Sequence, residues 1–380
     1  MHLLGQLFAP EDRGLAVVTV EGDRVTAIDV ASDPPSGAIG GPDAAILPGL
    51  IDIQVNGAYR QDFSDPSADV ALVSRRLLEY GVTAFLPTII TSEPAAYGPC
   101  LENVNVTWTP GTARVLGVHI EGPFLNPKRT GTHNKAWVRP PDLVEVQGWL
   151  EHGGVRIVTL APELPGADGV IRYLTDRGVV VSLGHSDATY SEAAAGAALG
   201  ASLGTHLFNA MPPLLHRAPG LAGFLLAGHT SVSLICDGVH VAPEVVALVA
   251  RIKAPDELVL ITDALAGFGE PIGRYELAGI EFVSDGVVGR LPDGTLSGSL
   301  LPLNRALKNL VGLGVAPAAA VQAATANPAK LLGLGDSSGR VEVGRPADLV
   351  VVDSDWEVIA TIVGGALGYE RSSRSRPKRG

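Results

Sequence analysis

Gly117 to Phe124 reads GVHIEGPF, a short apolar strand that stops at Glu121 because Gly122 and Pro123 break it. A carboxylate at the mouth of a buried strand needs a partner. Three more strand-like runs end on polar groups: VVVSLGHSD at His185, SLGTHLFNAM at His206 and LVLITDA at Asp263. One Glu and two His form the donor set of a catalytic zinc site that leaves a position for water, and they suit ferrous iron as well. Asp263 beside such an ion would take a proton from an attacking water and deliver it to a leaving nitrogen. Taken singly, each His is more readily a hydrogen-bonded core residue, and Asp263 a helix cap. Their shared position at strand ends favours a site.

Outward from this stretch, apolar strands alternate with amphipathic connectors such as SADVALVSRRLLEYG and DATYSEAAAGAALG. Strand ends fall near Gln54, Thr88, Glu121, Ala161, His185, His206, Asp237 and Asp263. That spacing predicts an α/β fold, a (β/α)8 TIM-type barrel whose chemistry gathers at the C-terminal ends of its strands. An open doubly wound sheet is the rival, but no Gly-rich dinucleotide fingerprint follows the first strand. The flanks have a different texture. LAVVTVEGDRVTAIDV reads as a hairpin, and GRVEVGRPADLVVVDSDWEVIATIVGG is equally β-rich. Each is too small to bury a face alone, so the two chain ends are expected to share a small β-sandwich. The expected division is 1–45 and 339–368 for the sandwich, 46–338 for the barrel and 369–380 for a basic, disordered tail.

A chain of 380 residues, 46% hydrophobic and 18% charged, can bury a large core. Its formal net charge of −12 argues against a nucleic-acid surface, and the basic run RSSRSRPKRG reads as a solvated end. Only Cys100 and Cys236 occur, which supports no disulfide framework. The N-terminus has no signal-peptide pattern and no run is long enough to span a bilayer. A cytoplasmic protein without a membrane partner is expected.

Other candidates carry two readings each. His119 shares a strand face with Glu121 but lies one step deeper, which favours a core role. Gln54 and Asn56 stand where a His-x-His pair would help to hold a second metal, and amides are poor ligands beside imidazole. RIVTLAPE, the fourth strand, offers no bridging Lys. A single divalent ion per subunit, zinc ahead of ferrous iron, is therefore expected. His133 in KRTGTHNKAW reads as a turn residue or as a donor to a substrate carbonyl. Asn209 and Arg217 follow His206 in a Pro-rich loop, where Arg217 would match a phosphate or remain an ordinary solvated side chain. Asp237 and His240 in CDGVHVAP suit sugar hydroxyls or a helix cap.

PGLIDIQVNG, GVHIEGPFL, GTHN, LGHSDATY, THLFNAM, RAPGLAG, DGVH, ITDA and TLSGS occur in this order from about Pro48 to Gly298, and together they resemble the N-acetylglucosamine-6-phosphate deacetylases of the amidohydrolase superfamily. GRPADLVVVD resembles the return of superfamily chains into their small β domain. The resemblance implies Glu121, His185 and His206 as metal ligands and Asp263 as the acid/base. It moves His133 to the acetamide carbonyl, with Thr132 beside it at the substrate. It also implies sugar contacts from Asn209, Ala210 and His240, a pocket segment Leu296, Ser297 and Gly298, and a phosphate contact from Arg217. In this family that Arg reaches across a dimer interface, so a homodimer acting on a phosphorylated amino sugar is expected. The implied reaction yields glucosamine 6-phosphate and acetate in amino-sugar catabolism. Alternatives are the galactosamine epimer, a cyclic-amide substrate, or an inactive structural relative. Tyr59 and Arg60 depart from the Gly-rich run of many relatives at the pocket rim.

Overall fold

In a computed structural model, which describes residues 1–31 and 35–372, eight parallel strands lie side by side in chain order. They are Leu50–Val55, Val82–Ile90, Val118–Glu121, Val155–Leu160, Val180–Leu183, Leu203–Gly204, Ser231–Ile235 and Leu258–Ile261. Each neighbouring pair from the first strand to the eighth is hydrogen-bonded in parallel. At the seam between eighth and first, the Asp263 amide donates to the Gln54 carbonyl (3.0 Å) and the Asn56 amide to that of Ala264 (2.8 Å). The Asp52 carboxylate bridges the same seam, accepting from the Thr262 hydroxyl at 2.6 Å. The barrel is therefore closed.

Strand parity sorts the side chains. Ile51, Ile53, Ala84, Leu86, Ile157, Leu203, Ile235 and Ile261 form an apolar plug inside the barrel, capped by Ala329 and Leu332. Val118, Ile120, Val158, Leu160, Val181 and Leu183 point outward and pack with the helical layer. By the same rule His119 and Glu121 face the axis. His119 is buried and satisfied, with Nδ1 3.1 Å from the Ile53 carbonyl and Nε2 2.8 Å from Thr159 Oγ1. It has the expected core role.

Helices begin where caps dictate. Thr189 and Glu192 form a reciprocal capping box at Tyr190–Ala198, and the Asp142 carboxylate accepts from Val144 and Glu145 amides to start Leu143–His152. Both connectors expected to be helical contain helices, Val70–Arg76 and Tyr190–Ala198.

The chain ends do combine. A seven-stranded sheet runs Ala366–Glu370, Val358–Val363, Leu349–Val352, Ile39–Pro48, His2–Phe8, Asp12–Glu21, Arg24–Val30. Gly344 and Ala347 pair back onto Val25 and Asp23 at the far edge (both 2.8 Å), folding the sheet around Leu3, Val18, Ile46, Val351 and Ile362. The last strand carries ordered structure past residue 368, and Arg371 pairs with Asp353 at 2.8 Å. Of the basic tail, Arg374, Arg376, Lys378 and Arg379 lie outside the described residues. No helix among the described residues is long and apolar enough to cross a membrane.

One element was not expected. Between the eighth strand and helix Leu303–Gly312 an antiparallel four-stranded meander spans Gly273–Leu277, Ile280–Ser284, Val288–Arg290 and Leu296–Ser299. Its last strand docks at the barrel mouth, where the Ser299 amide donates to the Asp263 carbonyl at 3.2 Å. Gly298 (φ +121) permits that approach, because a Cβ there would stand 2.8 Å from the Asp263 carbonyl oxygen.

Candidate active site

The ends of the third, fifth and sixth barrel strands converge. Glu121 Oε1 lies 3.2 Å from His185 Nε2 and 3.0 Å from His206 Nε2, and the two imidazole nitrogens are 3.1 Å apart. His185 Nδ1 sits 2.8 Å from the Arg129 carbonyl, which can only accept. Nδ1 therefore keeps its proton, and in the neutral ring Nε2 turns its lone pair inward. A lone pair facing a carboxylate oxygen and a second imidazole is repulsive without a cation among them. The three groups are all buried, and their donor atoms fit one divalent ion. Burial opposes charge on Glu121, yet the facing His185 and His206 hold its carboxyl well below the usual range. His206 moves the other way: burial would lower it, but its hydrogen bond to Glu121 raises it.

Asp263 stands at the end of the eighth strand beside this cluster. Asn56 Nδ2 (2.8 Å) and Gln54 Nε2 (3.1 Å) both donate to its Oδ1. Burial first, and the charge of Glu121 second, raise its carboxyl above the ordinary range. His133 faces the cluster from the loop after the third strand, with Nε2 3.8 Å from Glu121 Oε2. Burial and the neighbouring His185 push its pKa down to about 3, so the ring is neutral near pH 7. His185 (φ 50), His206 (φ 29), Ala210 (φ 52) and Asp263 (φ 53) all adopt left-handed backbone. Such conformations cost non-glycine residues on the order of 1–3 kcal/mol each, and here they aim side chains at one point.

A cavity of about 330 Å³ opens over the cluster. Thr132, His133, Asn209, Ala210, His240, Leu296, Ser297 and Gly298 line it together with Glu121, His185, His206 and Asp263. Two expected residues do not. Asp237 stands behind His240, accepting from its Nδ1 at 2.6 Å, and so orients the ring instead of forming the wall. Its carboxyl, which burial would raise, is held low by that bond. Arg217 is exposed on the loop after Met211 and does not line this cavity.

The sequence reading missed several contributors. Lys128 and Arg129 line the rim, with Arg129 paired to Asp187 at 2.7 Å; the run NPKR before GTHN was their signal. Leu277 and Thr295 enter from the unexpected meander. Gln54 and Asn56, read only as absent ligands, are the donors that hold Asp263. A larger hollow of about 750 Å³ between Arg60, Asp62 and Arg274 contains none of these groups.

Residues 45–368 match the amidohydrolase family. The chain is 39% identical over 338 residues to the N-acetylglucosamine-6-phosphate deacetylase of Bacillus subtilis (strain 168), covering 86% of this chain and 85% of that one. Against the Homo sapiens protein of the same name it is 40% identical over 344 residues, covering 86% and 83%. A Mycobacterium smegmatis N-acetyl-D-glucosamine-6-phosphate deacetylase, solved as a point mutant with N-acetyl-D-glucosamine-6-phosphate, superposes with a TM-score of 0.89 at 31% identity, covering 97% and 99%. The Thermotoga maritima enzyme gives 0.87 at 29%, also covering 97% and 99%.

Proposed function

This chain belongs to the amidohydrolase family, among relatives that are N-acetylglucosamine-6-phosphate deacetylases, and we propose that it hydrolyses the N-acetyl group of N-acetylglucosamine 6-phosphate, releasing acetate and glucosamine 6-phosphate in amino-sugar catabolism. The observation that carries this reading is the gathering of Glu121, His185, His206, Asp263 and His133 around one cavity.

A divalent ion held by Glu121, His185 and His206 would lower the pKa of a water and polarise the acetyl carbonyl. Zinc is favoured by the one-carboxylate, two-imidazole set. One ion per subunit is supported by Gln54 and Asn56, whose amide nitrogens are committed to Asp263, and by a fourth strand without Lys. Asp263 takes the proton from the attacking water and returns it to the sugar nitrogen as the C–N bond breaks. Its raised pKa suits that exchange, since a carboxylate closer to neutrality is the better base. His133 donates from Nε2 to the acetyl oxygen as negative charge develops there. Thr132, Asn209, Ala210, His240 and Leu296–Gly298 hold the sugar, with Asp237 orienting His240.

Arg217 binds the phosphate of the neighbouring subunit's substrate. Its exposure, and that of Leu214 and Leu215 on the same loop, supports a homodimer in which this loop is covered by a second copy. We divide the chain into a sandwich (1–45 with 339–368) and a barrel (46–338), and place the protein in the cytoplasm because its two cysteines are unpaired.

The test is amine release from N-acetylglucosamine 6-phosphate, its galactosamine epimer and unphosphorylated N-acetylglucosamine, with and without a chelator. Chelator-sensitive turnover of the first substrate alone is expected. Preference for the epimer, or no turnover after zinc or ferrous iron is restored, would overturn the reading.

A further inference from the structure

His133 enters the cavity from the loop after the third barrel strand, and an imidazole donates only from a nitrogen that carries a proton. Thr91, immediately after the second barrel strand, decides which. Its hydroxyl oxygen lies 2.7 Å from His133 Nδ1, and its backbone N–H donates to the same nitrogen at 3.3 Å. A peptide N–H can only donate, so Nδ1 must present its lone pair. A proton on Nδ1 would point into the hydrogen of that N–H. The hydroxyl completes the pair, because its other acceptor, the Glu121 carbonyl, is 3.5 Å away.

We propose that Thr91 is a positioning residue that fixes His133 as the Nε2–H tautomer, aimed at the acetyl oxygen. The place of the hydroxyl is built in. Thr91 is completely buried, and it occupies space that a side chain at position 122 would need. A Cβ on Gly122 would stand 2.3 Å from Thr91 Oγ1, which accounts for the glycine of the EGPF stretch as well as its φ of +81. Glu121 and His133 are therefore tied through one threonine: its side chain packs under the residue after the carboxylate, and its two donors hold the ring.

The inference rests on the reading of His133 as the carbonyl donor, and the experiment separates the two. Zinc-loaded enzyme with 15N-labelled histidine is examined by NMR near pH 7, and the His133 resonances are identified by their loss in His133→Gln. Expected is an unprotonated Nδ1 and a protonated Nε2. A proton on Nδ1, or on both nitrogens, overturns the inference whatever the activity. In parallel, Thr91→Ala is expected to lower kcat on the order of tenfold, the scale of one well-placed hydrogen bond, with KM little changed. Thr91→Ser, which keeps the hydroxyl, is expected to restore it. Equal kcat in Thr91→Ala and the wild type, or failure of Ser to rescue in a folded protein, removes Thr91 from this role. Full activity in His133→Ala, which carries no donor, would instead defeat the carbonyl-donor reading and leave the tautomer result standing.

Discussion

Asp263→Asn isolates proton transfer from everything else the residue does. Both amide donors, Asn56 Nδ2 and Gln54 Nε2, bind the single oxygen Oδ1. Asparagine supplies an oxygen in that place and directs its NH2 where the second carboxylate oxygen had been, so neither hydrogen bond need be lost. The substitution also removes a buried acid whose ionisation burial and Glu121 already oppose. Folding stability should therefore hold or rise, and the Glu121, His185 and His206 cluster is left intact. What disappears is the only group at this position able to accept a proton from water. General acid–base groups contribute roughly 10²–10⁴-fold, and Asp263 is asked to act in both directions, so kcat should fall by about the upper end of that range. Single-turnover amine release, metal content by elemental analysis and a melting curve on the same sample decide the matter. A metal-replete, folded Asp263→Asn protein within about tenfold of wild-type kcat would refute the assignment.

Arg217→Ala should raise KM for the phosphorylated substrate by roughly 10–100-fold, the range of a charge-assisted contact, with little change in kcat. If the arginine serves the partner's site, mixing Arg217→Ala with Asp263→Asn subunits should restore low-KM activity to about a quarter of the wild-type level, because each heterodimer regains one complete site; no recovery after proven subunit exchange would place Arg217 in cis. Chelation should abolish turnover and lower Tm, and added zinc should raise Tm with its concentration, as any ligand of the native state does; a Tm indifferent to metal would count against the Glu121, His185 and His206 site. Asp52 is wholly buried at the barrel seam, and burial raises its pKa to about 7. The folded state then binds more protons than the unfolded state between about pH 4 and 7, so this group's contribution is full below that window and is lost as pH rises through it. Relative to Asp52→Asn, the wild type should lose on the order of 4 kcal/mol at most across those units, measured by denaturant titration from pH 4 to 8; identical pH slopes would contradict it.

Why the barrel and the cluster of Glu121, His185 and His206 were legible, while the meander was not, follows from what each depends on. Alternation along VHIE assigns His119 and Glu121 to one face, and the Gly-Pro break puts Glu121 at the rim; both facts are local to six residues. The strand ends at His185 and His206 are local in the same way. The meander strands GRYEL and IEFVS alternate just as plainly, but their destination is set by long-range contacts. The Ala278 amide donates to Asp62 at 2.6 Å, and Ser299 reaches Asp263; neither contact leaves a trace in the intervening sequence. Asp237 shows a finer limit. Its motif marks it as polar at a strand end, but only coordinates reveal that its carboxylate turns to His240.

Gln54 and Asn56 carry that argument furthest, because reading them as absent ligands misses their work. An imidazole at either position could present a lone pair to a cation, whereas an amide nitrogen can only donate. Two amide nitrogens on one carboxylate oxygen make the first strand's end a clamp on Asp263. The clamp also moderates the base: burial and Glu121 raise the Asp263 pKa, while the Asn56 bond lowers it. Removing a donor should thus make Asp263 easier to protonate and harder to orient at once. Asn56→Ala is the sharper case, since its bond to Oδ1 is the shorter of the two. The two amides that replace imidazoles in the sequence reading thus act on Asp263 itself, holding its Oδ1 in place at the end of the eighth strand.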